Sequence, residues 1–171
     1  ILTAKSATEK GVSAAKYHYR RSILLIIFGL CHGFFIWYGD ILNTYGIFAL
    51  LVFLMWQKTA KTQLITGCCL ILVVTLIMLA AAGNMPEDAV TEMQNNFIPA
   101  QTKIDSEVLA YQGSWSENFA LRSKEMLILM SYTIFAGFRI AGGMLIGMGL
   151  FQLGILTGQK SKEFYKKLTL V

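Results

Sequence analysis

An imidazole and a carboxylate interrupt the apolar first third of this 171-residue chain, and both are able to handle protons. His32 lies in Gly29-Leu30-Cys31-His32-Gly33, in the middle of an uncharged run. An ionisable group at membrane depth costs several kcal/mol unless it faces protein or water. One reading of His32 is therefore a general base or proton relay in an intramembrane cavity. The other is an interhelical hydrogen bond that holds a bundle together. Gly29 and Gly33 are one helical turn apart and leave a face bare enough for close approach, and His32 borders that seam. Asp40 is the only acid between residues 22 and 86. As the Asp of a Gly-Asp turn it is expected to cap the helix that follows. The run Trp37-Tyr38-Gly39-Asp40-Ile41-Leu42-Asn43, continued by Tyr45, also gathers a carboxylate, an amide and hydrogen-bonding aromatics at one mouth. It reads as a cavity lining.

Arg139 stands between Phe138 and Ile140 in another apolar stretch. If buried, it needs an anion, and Asp40 is the carboxylate expected nearest its depth. If the span begins near it, Arg139 is an interfacial snorkelling residue. Trp37, Tyr38, Asn43, Tyr45 and Arg139 form the set expected to line a cavity or meet substrate. Arg20-Arg21 is first a topology signal, and secondarily a site for a lipid headgroup or the phosphate of an anionic donor. In Gly142-Gly143-Met144-Leu145-Ile146-Gly147-Met148-Gly149, a Gly143/Gly147 pair is expected to form a helix seam. It is no nucleotide loop, since a Lys-Ser/Thr partner is lacking. Cys31, Cys68 and Cys69 all fall in apolar segments, so packing rather than a disulfide is expected. With His18 and His32 the only histidines, no metal site is expected.

The elements that position these residues follow from composition. The chain is 55% hydrophobic and only 15% charged, with a mean hydropathy of +0.54. Soluble domains carry roughly 25% charge, so an all-α polytopic membrane bundle is expected. Its net charge of +5 flanks apolar segments rather than covering one face, which excludes a nucleic-acid binder. Four uncharged or nearly uncharged stretches can span: Ser22 to Tyr38, Ile41 to Trp56, Thr62 to Gly83, and Met126 to Leu156 with its single Arg139. A span needs about 20 apolar residues, and ~17 when flanking side chains snorkel. The first two stretches are thus read as a tight hairpin through Gly39-Asp40. Pro86 before Glu87-Asp88, and Ser114 before Trp115-Ser116-Glu117, are helix starts within the 84–125 loop. Phe119 to Tyr132 is expected along the outer surface, leaving roughly residues 136–156 to cross. The whole reads as one membrane domain. The opening Ile1-Leu2-Thr3 lacks an initiator Met, and the expectation is a middle piece of a longer multi-span protein.

Direction follows from the distribution of Lys and Arg. Residues 1–21, 57–61 and 157–171 hold eleven of them, whereas residues 84–125 hold Lys103, Arg122 and Lys124 with seven acids. By the positive-inside rule both ends of the chain are cytoplasmic and the 84–125 loop is outside.

With Tyr19-Arg20-Arg21, Gly29-Leu30-Cys31-His32, Trp37-Tyr38-Gly39-Asp40-Ile41-Leu42-x-x-Tyr45 and the run from Arg139 to Phe151, the chain resembles the YeiB-like family of bacterial integral membrane proteins. That family is a domain of unknown function, and its members are roughly twice this long. The resemblance implies residence in the bacterial cytoplasmic (inner) membrane among further transmembrane helices of a full-length chain. The family is in turn distantly similar in arrangement to transmembrane acyltransferases, which pass an acyl group from a cytoplasmic donor to an acceptor outside. On that reading His32 deprotonates the acceptor, Asp40 orients it, and acyl-coenzyme A is the donor; no bound cofactor is implied. A small-molecule transporter and a structural or assembly subunit are the alternatives. Expected partners are the lipid bilayer, neighbouring transmembrane helices and a second copy of the chain, with no nucleic acid.

The topology is directly testable. In a background without the native cysteines, Ala100→Cys should react with an impermeant maleimide on intact cells, and Ala60→Cys only after permeabilisation. The reverse pattern would overturn the four-span orientation.

Overall fold

A computed structural model describes residue 11 and residues 13–169; Lys5, Glu9 and Lys10 of the basic flank lie outside the described residues. Every regular element among them is helical. Helix α1 runs Ala14–Phe35, α2 Leu42–Val52 with a 3-10 turn at Phe53–Met55, and α3 Ala60–Gly83. Helices α4 (Glu87–Phe97) and α5 (Gln101–Gln112) lead into α6 (Trp115–Gln152), and a short α7 (Lys162–Thr169) follows.

Local chemistry sets the helix starts. Ser13 and Thr59 accept from backbone N–H groups in the first turns of α1 and α3. Pro86, whose missing N–H costs a helix start nothing, precedes α4. Helix α6 opens with a capping box, in which Glu117 Oε2 accepts from the Ser114 hydroxyl at 2.8 Å and from its backbone N–H at 2.6 Å. These bonds, side chain first, hold the Glu117 carboxyl below the usual carboxylate range. The contribution is therefore present above the ordinary Glu range and is lost as pH falls through the depressed value.

The elements depart from the hydropathy reading in three places. Helix α1 begins eight residues before the apolar run at Ser22 and stops at Phe35, so His32 stands in its last turn rather than mid-span. The apolar run continues past the helix end because Trp37 and Tyr38 belong to the turn. Residues 115–152 form one unbroken 38-residue helix, so the segment 119–132 is not a separate surface helix. At 1.5 Å per residue α6 is roughly 57 Å long, well beyond a bilayer core of about 30 Å. Within it Phe135–Gln152 is long and apolar enough to cross a membrane, as is all of α3.

Helices α1, α2, α3 and α6 pack together around Phe48, Val52, Ala141 and Leu145. The most extensive pairing is α3 on α6, and glycine makes it possible. A Cβ at Gly67 would lie 2.7 Å from the Gly142 carbonyl oxygen, and one at Gly142 would lie 2.8 Å from that of Gly67. Lower on the same seam, a Cβ at Gly149 would lie 3.0 Å from the Ala60 carbonyl oxygen. Gly137 makes room for the Phe48 ring of α2. The seam thus uses Gly142 and Gly149, seven residues apart, and not Gly143 and Gly147, where a Cβ would meet open space.

Gly142→Ala should accordingly destabilise the bundle, lowering its thermal midpoint in detergent by several degrees. Gly143→Ala should leave it unchanged or raise it, because alanine is the better helix former by ~1 kcal/mol where no neighbour objects. Equal midpoints for the two variants would remove the seam from the account.

Candidate functional site

The turn between α1 and α2 brings His32 and Asp40 together. His32 Nδ1 and Asp40 Oδ2 are 2.8 Å apart. The other oxygen, Oδ1, accepts from the backbone N–H of Leu42 at 2.8 Å and of Asn43 at 3.2 Å. One carboxylate therefore caps α2 and orients the imidazole at the same time. Gly29 is what lets the two helices meet here. A Cβ on it would collide with the Asn43 backbone nitrogen and lie 2.7 Å from Asp40 Oδ1.

The two members differ in environment. The Asp40 side chain is 3% exposed and that of His32 37%. With both Asp40 oxygens acting as acceptors, Nδ1 donates to the carboxylate, and Nε2 has no hydrogen bond among the described residues. A buried acceptor, an oriented ring and an accessible second nitrogen make up the base half of a nucleophile-activating arrangement. Trp37 stands edge-on to the His32 ring at 6.5 Å.

The other expected lining residues separate. Asn43 is buried and its Oδ1 accepts from the Thr44 hydroxyl at 3.0 Å, while its Nδ2 has no partner among the described residues. Tyr38 is half-buried. It lies near Tyr111 of α5, whose hydroxyl is pushed above the usual tyrosine range by desolvation and then by Tyr38, with Arg122 pulling the other way. Tyr45 is exposed. Arg139 is exposed and does not pair with Asp40, whose carboxylate is taken by His32. The register of Gly67 on Gly142 and Ala60 on Gly149 puts Arg139 level with Leu70 of α3, and Arg139 lies four residues inside the start of the apolar stretch Phe135–Gln152. Arg20 and Arg21 are exposed, with the Arg21 guanidinium 5.8 Å from the centre of the Tyr17 ring. Cys31, Cys68 and Cys69 are free and exposed. No group of three or more His, Cys, Asp or Glu among the described residues could hold a metal ion.

Sequence reading passed over two features. His18 is no mere part of a basic flank: its Nε2 donates to the Ala49 carbonyl at 2.9 Å, and its ring stacks on Phe53 at 4.4 Å. It clamps α1 to α2 at the end remote from Asp40. The second feature is the start of α6. Trp115 and Phe119 stack on Phe35, Arg122 Nη1 reaches the Ile36 carbonyl at 3.5 Å, and the Met126 thioether fills the space over Gly33. Those four residues recur at intervals of four, three and four, a helical stripe that was legible. Its being docked on the end of α1 was not.

No family model matches the chain, and no solved structure matches it. Over 76 residues it is 32% identical to the uncharacterized protein YxaH of Bacillus subtilis (strain 168). The matched stretch is 44% of this chain and 19% of that protein, so the chain spans about one fifth of the length of the curated relative it matches.

The double role of Asp40 can be divided by substitution. Asp40→Ala removes the cap and the ring's partner together and should cost about 1–2 kcal/mol of stability. Asp40→Asn keeps an oxygen for the Leu42 and Asn43 N–H groups but offers His32 a donor, so stability should fall by less than about 1 kcal/mol. Thermal unfolding in detergent reads the difference; equal losses would mean that the cap is not what Asp40 supplies.

Proposed function

We propose that the chain is part of a multi-span protein of the bacterial inner membrane, resembling the YeiB-like family, in which His32 and Asp40 act on a substrate at the extracytoplasmic face. The membrane reading is supported by α3: only 11% of its most apolar stretch is buried, with Leu72, Leu76 and Leu79 all more than half exposed. The core helix of a soluble protein would be mostly covered. Aromatic clusters at both ends of α1 agree with it. Phe35, Trp115 and Phe119 stack at one end, and His18, Tyr19, Phe53 and Trp56 gather at the other. Tyr19 and Phe35 are 16 residues apart on one helix, about 24 Å by helical rise, the spacing that interfacial ring belts would need in a slightly thin bilayer.

The reaction we assign is acyl transfer from a cytoplasmic acyl-coenzyme A to a hydroxyl or amine outside. The observation that carries it is the 2.8 Å Nδ1–Oδ2 bond, with the second ring nitrogen left accessible. Nε2 would take the acceptor's proton as the acceptor oxygen or nitrogen attacks the thioester carbonyl. The C–S bond then breaks, and the departing thiolate takes that proton back from the imidazolium. Asp40 holds the ring and stabilises its charged form. Arg20 and Arg21 would meet the donor's phosphates, about 17 Å along α1 from His32, a distance an extended pantetheine arm can cover. Neighbouring helices of the full-length chain and the bilayer complete the surroundings, and a second copy is compatible with the exposed faces.

A transporter of small molecules is the second reading, favoured by Arg139. An exposed cation within the apolar stretch Phe135–Gln152, level with Leu70 of α3, suits a polar pathway better than a lipid-facing surface.

Titrating purified full-length protein with acetyl-coenzyme A should give saturable binding that weakens as salt rises. Arg20→Gln with Arg21→Gln should weaken it, in protein whose orientation has been checked. His32→Asn should still bind donor but lose transfer. Absence of binding at millimolar donor would replace the acyltransferase by the transporter.

A further inference from the structure

One stripe of α6 closes over the end of α1, and its chemistry is unbalanced at a single position. Trp115, Phe119 and Met126 are apolar and meet Phe35 and Gly33. Arg122, on the same face, is charged. Its Nη1 makes one long contact, 3.5 Å, to the Ile36 carbonyl at the C-terminal end of α1. Its Nε is buried and has no hydrogen-bond partner among the described residues, and neither does the hydroxyl of the adjacent Ser123. Capping the negative end of a helix dipole accounts for one of the five donors of a guanidinium.

No carboxylate among the described residues forms an ion pair with this cation. Asp40 is committed to His32, Leu42 and Asn43. Glu125 and Glu107 are near enough to push up the Tyr111 hydroxyl, but neither forms an ion pair with Arg122. A half-buried guanidinium with an orphaned inward donor is costly unless an anion completes it. Ile36, which Arg122 touches, is four residues beyond His32, and its N–H bonds the His32 carbonyl at 2.9 Å. The carbonyl that Arg122 contacts thus belongs to a residue about 6 Å further along α1 than His32, by helical rise.

We infer that Arg122, with Ser123 beside it, binds an oxyanion, a phosphate or carboxylate group, carried by the molecule that reaches His32. The inference rests on the reading of His32 as the reacting end of the mouth, and names the class of acceptor: one with a nucleophilic hydroxyl or amine within about 6–10 Å of an anionic group. A planar fork with Nε and Nη donors suits two oxygens of one such group, and the Ser123 hydroxyl is a further donor. Phe35, Trp115 and Phe119 wall the approach with stacked rings. The anion has two possible sources, a soluble solute or the headgroup of a phospholipid in the outer leaflet, and they are separable.

The experiment uses the full-length protein in nanodiscs of phosphatidylcholine, with no acyl donor present, and follows thermal stability and tryptophan emission. Inorganic phosphate, against chloride at equal ionic strength, should raise the midpoint of the parent protein saturably. Arg122→Gln should reduce the apparent affinity about tenfold or more, as loss of a charged hydrogen-bonding partner does. Arg122→Lys should give an intermediate value, because it keeps the charge and loses the fork. If the source is a lipid, nanodiscs containing phosphatidylglycerol should give the same stabilisation without phosphate and blunt the response to added phosphate. Should Arg122→Gln not fold, Ser123→Ala supplies the test, with a severalfold loss expected. Responses to phosphate and to phosphatidylglycerol that are equal in parent and variants would overturn the site and leave Arg122 as a helix cap. His32→Asn should retain the phosphate response, so failure of acyl transfer and failure of this site remain distinguishable.

Discussion

Much of this structure turns on how many donors one carboxylate can satisfy. Asp40 is 5% exposed and surrounded by two helix ends, a setting that penalises an uncompensated charge severely. Two backbone N–H groups and an imidazole compensate it. Each bond also fixes something else. The N–H pair starts α2 immediately after the turn, and the imidazole bond freezes the ring of His32 toward α2. Removing Gly29 from this arrangement would break it at once, since any side chain there enters the space of Asn43 and Asp40.

The two halves of the bundle solve different problems. Between α3 and α6 the contact is made by backbone approach at Gly67, Gly142 and Gly149, with apolar side chains around it. On the membrane reading, where lipid supplies no hydrophobic driving force between helices, such close packing is where association energy comes from. Between α1 and α2 the seam is polar: Ser22, Asn43 and Thr44 are buried, His18 bonds Ala49 near one end, and His32 bonds Asp40 at the other. At the foot of α2, Gln63 donates to the Met55 carbonyl at 2.7 Å and Gln152 to that of Lys58 at 3.1 Å. The Gln152 amide thus covers the Lys58 carbonyl, while Gln63 adds a second donor to a Met55 carbonyl that also accepts from the Lys58 N–H at 3.1 Å.

Which of these features the residues announced depends on whether they are local. Helical character followed from long uncharged runs, and the helix starts at Pro86 and Ser114 from neighbouring capping residues. Gly29 and Gly33 were legible as a bare face, although they serve different helices, Gly29 meeting α2 and Gly33 meeting Met126 of α6. The later glycine run was misread, because Gly142, Gly143, Gly147 and Gly149 differ only in which side of α6 they occupy. Pattern cannot decide that when every face is apolar. The partner of Asp40 stayed open for a related reason, although its capping of α2 was legible. Depth offered Arg139 only if that residue were buried, whereas the turn at Gly39 folds Asp40 back on a residue eight positions earlier. Arg122 was counted as one charge of an outer loop, since nothing local shows that a 38-residue helix lays its second turn on α1.

Helix α6 joins the two halves, and that has a mechanical consequence. Its segment from Gly137 to Gly149 is held against α2 and α3 by backbone contacts that tolerate little displacement. Its first three turns, with Trp115, Phe119, Arg122 and Met126, lie over the end of α1. Among these, Met126 is 1% exposed and tightly seated, whereas Trp115 is 64% exposed and the contact of Arg122 is long. Burial therefore decreases along one continuous helix, from the glycine seam to the capping box at Ser114. The His32–Asp40 pair lies beneath this cover, held by bonds of 2.8, 2.8 and 3.2 Å. An unbroken helix anchored at its far end holds Arg122 over the end of α1 without a loop, and on the proposed function that is how an acceptor would be positioned against a fixed imidazole.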